Sequence, residues 1–203
     1  MPARIRSAFK ALWNLDLALA DVVATRTDTN LAVIRLAWWR ERLDELDQGA
    51  APPAEPRLRN VARELIARGV TGAHLLRLED AWLPLLDPLP WGERQAEGLR
   101  LRGRVLFGIG ANLLGGDPRD AEPAGALWSL ADGADHCSDP ESREFLLGKA
   151  RGIELSTKSP RTLRPLTVLA ALAAYDLGHE GAGVRRVAIA LAHRLWGRVP
   201  RRS

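Results

Sequence analysis

Apolar residues recur at spacings of three and four along almost the whole chain. No stretch alternates for long with the period of two that a half-buried strand requires. This periodicity predicts an all-α protein. A first helix is expected over residues 5–25. The polar run Thr25-Arg26-Thr27-Asp28-Thr29-Asn30 breaks it and offers N-caps for the next. The second helix carries Leu36, Trp39, Leu43 and Leu46 on one face and stops near Gly49, and the three prolines of residues 50–56 mark a loop. A third helix, residues 57–68, turns Leu58, Val61, Leu65 and Ile66 inward and ends at Gly69.

Thr71 caps a fourth helix built on Leu75, Leu78, Trp82 and Leu85, with Pro84 expected to kink or end it. After a proline-rich loop at 87–90, a fifth helix spans 92–114 and stops at Gly115-Gly116. A sixth covers 121–137. Ser138-Asp139-Pro140-Glu141 has the form of a capping box with proline in the first turn, opening a seventh helix that runs to residue 151. Residues 162–177 and 183–196 are helical, with a flexible link over 178–183. About eight helices on short links predict one compact bundle over residues 1–203.

Composition agrees with a packed core. Hydrophobic residues make up 46% of the 203, too many for a disordered chain. Seven tryptophans stand beside three phenylalanines and one tyrosine, so the core is expected to be mainly Leu, Ala and Val. The lone Cys137 excludes an internal disulfide and gives no sign of secretion. The longest apolar stretch, 168–175, falls far short of the roughly 20 residues that span a bilayer. Arg4, Arg6 and Lys10 precede the first acid, Asp16, as in transit peptides, but the pattern runs on without a cleavage-like break and reads as the first turns of a helix.

The net charge of +4 and the pI near 9.9 rest on arginine, since Lys10, Lys149 and Lys158 are the only lysines. Either the guanidinium groups meet an anionic partner or they form a solvated surface. The basic cluster over 194–202 has the same two readings, anionic lipid or solvated tail. Arginine without interleaved aromatic repeats makes no case for nucleic acid.

Arg35-Leu36-Ala37-Trp38-Trp39-Arg40-Glu41-Arg42-Leu43 places two adjacent tryptophans in a basic amphipathic helix. It resembles a signature helix of the squalene/phytoene synthase family. Ala11-Leu12-Trp13-Asn14-Leu15-Asp16-Leu17-Ala18-Leu19-Ala20-Asp21 sits where that family has its first aspartate-rich helix, and Gly125-Ala126-Leu127-Trp128-Ser129-Leu130-Ala131-Asp132 resembles the start of its second. Leu101-Arg102-Gly103-Arg104-Val105-Leu106-Phe107-Gly108 resembles a glycine-containing pocket helix. Order and spacing match over most of the chain. The resemblance implies a shortened isoprenoid synthase fold. It implies head-to-head condensation of two isoprenoid diphosphates, with magnesium held by the aspartate-rich helices. Under that reading Asp16, Asp21, Asp132 and Asp135 are the catalytic acids, with Asp16, Asp21 and Asp132 holding magnesium, and the ligand pocket is formed by Gly103, Arg104, Gly108, Trp128 and His136.

The departures point the other way. Family enzymes place carboxylates at i and i+4, on one helix face toward a magnesium-bridged diphosphate. Asp16 and Asp21 are five apart, so their side chains diverge by roughly 140° on a regular helix. Asn14 and Leu15 stand where the family's first motif has its arginine. In the second motif His136 stands where a ligand aspartate is expected and Pro140 where the second carboxylate would follow. Magnesium prefers oxygen ligands, so Asp132 with His136 is a poor site, better read as a surface hydrogen bond. The expectation is therefore no metal and no cofactor, with little or no catalysis. The protein would act by binding a prenyl or lipid ligand, or as an assembly factor like the family's non-enzymatic relatives of mitochondrial respiratory complex I. The alternative is an active, magnesium-dependent prenyltransferase acting on farnesyl or geranylgeranyl diphosphate. Either reading implies a cytoplasmic protein or one peripheral at the inner membrane, with an isoprenoid diphosphate, lipid, membrane surface or protein as partner.

Further residues have open readings. Gly103, Gly108 and Gly110 each cost about 1 kcal/mol inside a helix, which is tolerated where another backbone or a prenyl chain comes close. Trp39 follows the Leu36-Leu43-Leu46 stripe and is expected inside. Trp38, about 100° away, meets a neighbouring helix, a partner or lipid. Glu79 and Asp80 are adjacent and diverge, so one of them could face a cavity, with solvent exposure the default expectation. His74, His179 and His193 have no Cys or His at metal spacing. No Ser/His/Asp arrangement, P-loop or dinucleotide fingerprint is present.

Overall fold

A computed structural model describes residues 3–179 and 184–200. Among these the chain is all-α, with nine α-helices, several short 3-10 turns and no strand. It divides into two units, residues 1–88 and 89–203.

The first unit holds α1 (Arg6–Ala24), α2 (Thr29–Asp47), α3 (Pro56–Glu64) and α4 (Gly72–Trp82). Local chemistry explains their limits. Asp28 caps α2, accepting from the amides of Asn30 and Leu31 at 2.7 and 3.2 Å. Glu55 caps α3 and Thr71 caps α4 in the same way. The expected third helix is shorter than residues 57–68. It stops at Glu64, and Ile66–Arg68 form a 3-10 turn that Gly69 ends in the left-handed region at φ 81°. Pro84 ends α4 at Trp82 and leaves Leu83–Leu86 as a 3-10 turn.

The core follows the periodicity. α1 buries Leu12, Leu15 and Leu19, and α2 buries Leu36, Trp39, Leu43 and Leu46. α1 packs on α3, and α2 on α4. Leu58, Val61, Leu65, Leu75 and Leu78 are fully enclosed, whereas Ile66 is half-buried. Each buried leucine contributes on the order of 2 kcal/mol. Trp38 is 40% exposed and stands edge-on to Trp39 with ring centroids 5.3 Å apart.

The second unit holds α5 (Glu93–Leu114), α6 (Glu122–His136), α7 (Pro140–Arg151), α8 (Arg164–Asp176) and α9 (Val184–Trp196). α6 is its hub, packing on α5, α7 and α8, while α9 packs on α8. The cap of α7 is Asp139 rather than a Ser138–Glu141 box. The Asp139 carboxylate accepts from the amide and the hydroxyl of Ser142, at 2.8 and 2.6 Å, which holds it below the usual carboxylate range. Gly115 ends α5 at φ 75°.

The α5–α6 contact is a backbone one. A Cβ on Gly103 would lie 2.0 Å from the carbonyl oxygen of Gly125, and a Cβ on Gly125 would lie 2.1 Å from that of Gly103. Phe107 and Trp128 stack across the same pair at 5.7 Å. α9 is fastened through His193 and through Arg164, whose guanidinium donates to the Leu195 carbonyl at 2.7 Å. The link expected over 178–183 lies outside the described residues from 180 onward, as do Arg201 and Arg202 of the basic cluster.

Candidate functional site

Within the second unit α6, α7, α8 and α9 enclose a cleft of about 320 Å³. Trp128, Asp132 and Asp135 come from α6, Arg143, Leu147 and Arg151 from α7, Leu169, Leu172 and Asp176 from α8, and Arg186 from α9. Apolar side chains from α6, α7 and α8 and charged side chains of both signs therefore share its lining.

The charges are already matched. Asp132 accepts from the Arg102 guanidinium at 2.7 Å, and the same guanidinium donates to Ser129 and lies 4.8 Å over the Trp128 ring. Arg102 is 5% exposed, so the guanidinium is shielded from solvent and holds in place an Asp132 carboxylate that still reaches the cleft. Arg143 stands 3.7 Å from Asp135, Arg151 pairs with Glu144 at 2.7 Å, and Arg186 pairs with Asp176 at 2.9 Å. Burial pushes the Asp176 carboxyl above its ordinary value. Arg186 opposes that shift and Asp135 adds to it.

The residues singled out from the sequence scatter around this cleft. Trp128, Asp132 and Asp135 line it. His136 does not: its side chain is 80% exposed, and Nδ1–H donates to the Asp132 backbone carbonyl at 2.8 Å, 3.8 Å from the carboxylate. Arg104 points to Glu97 at 3.0 Å. Gly103 faces Gly125, and Gly108 has only ordinary contacts, at 3.8 Å, with Glu122 and Pro118.

In the first unit Asp16 is 1% exposed and accepts from the Trp82 indole N–H at 2.9 Å. Asp21, 61% exposed, lies 3.5 Å from Arg57. One carboxylate is inside the unit and the other is outside, so α1 does not present them as a pair. Glu79 overturns its expected exposure. It is 4% exposed and accepts from Arg40 Nε at 2.9 Å, while Arg40 also reaches the half-exposed Asp80. Burial raises the Glu79 pKa, Arg40 opposes the shift and Asp80 adds to it.

Magnesium, which the family resemblance implies, needs several carboxylate oxygens at one point. Asp16, Asp21, Asp132 and Asp135 each face an N–H or guanidinium donor instead. Among the described residues no three Asp, Glu, His or Cys side chains group as a metal site. Within each unit, these acids do not gather around one cation.

A second polar cluster joins α8 to α9. His193 is fully buried. Its Nδ1 lies 3.0 Å from the Arg198 carbonyl, so that nitrogen carries the proton and Nε2 accepts from the Thr167 hydroxyl at 2.9 Å. Ser159 adds its hydroxyl to Thr167 at 2.7 Å. Burial pushes the His193 ring below its ordinary pKa, with Arg164 adding to the shift and the Arg198 hydrogen bond opposing it. The ring is enclosed and both of its nitrogens are engaged, so the cluster fastens a helix rather than activating a nucleophile.

Arg100, Arg102 and Arg104 flank the glycines in sequence, where exposure is the expectation and one inward arginine facing a phosphate the alternative; Arg102 does turn inward, but its partners are Asp132 and Ser129. The signal was its position three residues after Leu99 and four before Leu106, on the apolar face of α5. A guanidinium on a buried stripe requires a buried acceptor. Arg143, Asp176 and Arg186 carried no such signal. No protein-family model, curated protein or solved structure matches this chain.

Proposed function

We propose that this chain is a degenerate relative of the squalene/phytoene synthases that acts by binding rather than by turnover. The observation that supports this reading is the partnering of all four candidate acids. Asp16 is held by Trp82, Asp21 by Arg57, Asp132 by Arg102 and Asp135 by Arg143. Asp16 and Asp132 cannot turn to a cation without leaving the buried Trp82 indole or the buried Arg102 guanidinium unpaired, whereas the pairs of Asp21 and Asp135 lie at the surface and hold their carboxylates only weakly.

The ligand is a prenyl or other lipid chain lying against Trp128, Leu147, Leu169 and Leu172 in the α6–α9 cleft. The arginines that line it already face carboxylates, so a chain with a small polar head suits it better than a free diphosphate. Such a protein works as a carrier or as an assembly factor for a membrane complex, and stands at the cytoplasmic surface of the inner membrane. Among the described residues no helix is long and apolar enough to cross a membrane, which is compatible with that position.

Incubation with farnesyl or geranylgeranyl diphosphate and magnesium should yield no presqualene diphosphate, squalene or phytoene. Product at an enzyme-like rate overturns the reading. Calorimetric titration with farnesol should give saturable binding that Leu172→Arg abolishes.

A second reading, an active prenyltransferase, draws on Asp132, Asp135 and Asp176 lining the one cleft. It requires diphosphate binding that depends on magnesium and is lost in Asp132→Ala.

A further inference from the structure

α9 has two faces of opposite character. Its inner side carries the buried His193. On its outer side Val187, Leu191 and Leu195 are 61%, 54% and 59% exposed, and their spacing of four aligns them in one row. Trp196, 56% exposed, follows at the end of the helix, with the Arg198 guanidinium 5.9 Å from its ring centre. At about 100° per residue, Arg194 lies roughly 60° to one side of the row's centre and Arg185 about 120° to the other. Both arginines are exposed, and among the described residues neither faces a carboxylate. From Val184 to Ser203 the sequence has six arginines and no aspartate or glutamate.

We propose that α9 lies flat on an anionic lipid bilayer. The Val187, Leu191 and Leu195 row enters the boundary between headgroups and acyl chains, and the flanking arginines meet lipid phosphates. This rests on the peripheral position proposed above and assigns it to one helix face. An apolar row whose only charged neighbours on its outer side are cations, with tryptophan at its end, is the pattern of an interfacial helix. The charge complement it calls for is a continuous anionic surface, which a phospholipid leaflet supplies.

α2 provides the contrast. It also exposes an apolar row, with Leu31 at 53%, Ile34 at 64% and Trp38 at 40%. Its outer face, however, carries Glu41 and Glu45 beside Arg35 and Arg42, and Arg42 pairs with both acids. That face has no net preference for an anionic leaflet.

Sedimentation with vesicles tests the proposal, using phosphatidylcholine alone and phosphatidylcholine containing about one-third phosphatidylglycerol. The full chain should bind the anionic vesicles at least about tenfold better than the neutral ones, and salt should weaken the difference. The double variants Leu191→Ser/Leu195→Ser and Arg185→Gln/Arg194→Gln should each lose about tenfold. All four side chains are exposed, so both variants should keep the wild-type helical circular dichroism. Ile34→Ser should bind as wild type. If the chain binds anionic vesicles but the α9 variants bind equally well, the assignment to α9 falls while the peripheral position stands. Absence of binding to either vesicle defeats both. If the leucine variant changes the oligomeric state in solution but not vesicle binding, the row is covered by a second copy and the proposal is overturned.

Discussion

Asp16 illustrates how a residue's surroundings decide its chemistry. Its carboxylate is enclosed and accepts from the Trp82 indole at 2.9 Å, so it serves the packing of α1 against α4. Asp16→Ala removes that acceptor from a buried N–H and should lower unfolding free energy by about 1–3 kcal/mol. Urea denaturation followed by tryptophan fluorescence measures it, and an unchanged midpoint refutes a structural role. His193 makes a pH-dependent contribution of known sign. The folded chain holds the ring neutral with its pKa below 6.5, whereas the unfolded chain takes up a proton near 6.5. Stability from this group is therefore complete above about pH 6.5 and declines as pH falls through 6.5 toward the lower folded value. Urea midpoints at pH 7.5 and pH 5.5 should show that loss, and His193→Ala should flatten the difference.

At the scale of elements, most of the organisation is legible in the sequence. Asp28, Thr71, Pro84 and Gly115 mark helix limits because caps and stops act within a turn of backbone, whereas α3 stops at Glu64, ahead of the Gly69 expected to end it. The buried faces of α2 and α4 were readable for the same reason, since positions three and four apart share a side of a helix. The capping group of α7 was misassigned because Ser138 and Asp139 are both good caps, and only the Ser142 contacts distinguish them. The glycines of α5 needed the neighbouring helix. Gly103→Ala forces a Cβ to within 2.0 Å of the Gly125 carbonyl and should destabilise by about 2–3 kcal/mol or more as α5 and α6 separate. Gly108→Ala meets nothing closer than 3.8 Å and should be neutral or gain up to about 1 kcal/mol of helix propensity. Thermal melts of the two variants compare them directly, and equal effects would contradict the close-approach account.

At the scale of the whole molecule, residues 1–88 and 89–203 each carry a leucine-rich core of their own. The fragment 89–203 expressed alone should give helical circular dichroism and a cooperative urea transition, as expected of a unit with its own buried core. A non-cooperative melt would show that its core is incomplete. The candidate site divides along the same line between what was and was not readable. The divergence of Asp16 and Asp21 follows from five residues of helix. The partners that occupy the acids do not: Arg102 reaches Asp132 across 30 positions and Trp82 reaches Asp16 across 66. By itself, the order of residues determined the all-α class, the helix limits and the inward faces, because these follow from contacts three or four positions apart. Tertiary structure alone decided which charges are matched, where two helices touch through glycine, which acids line the cleft and which face of α9 is left open. Those outcomes depend on groups that become neighbours only when the chain packs.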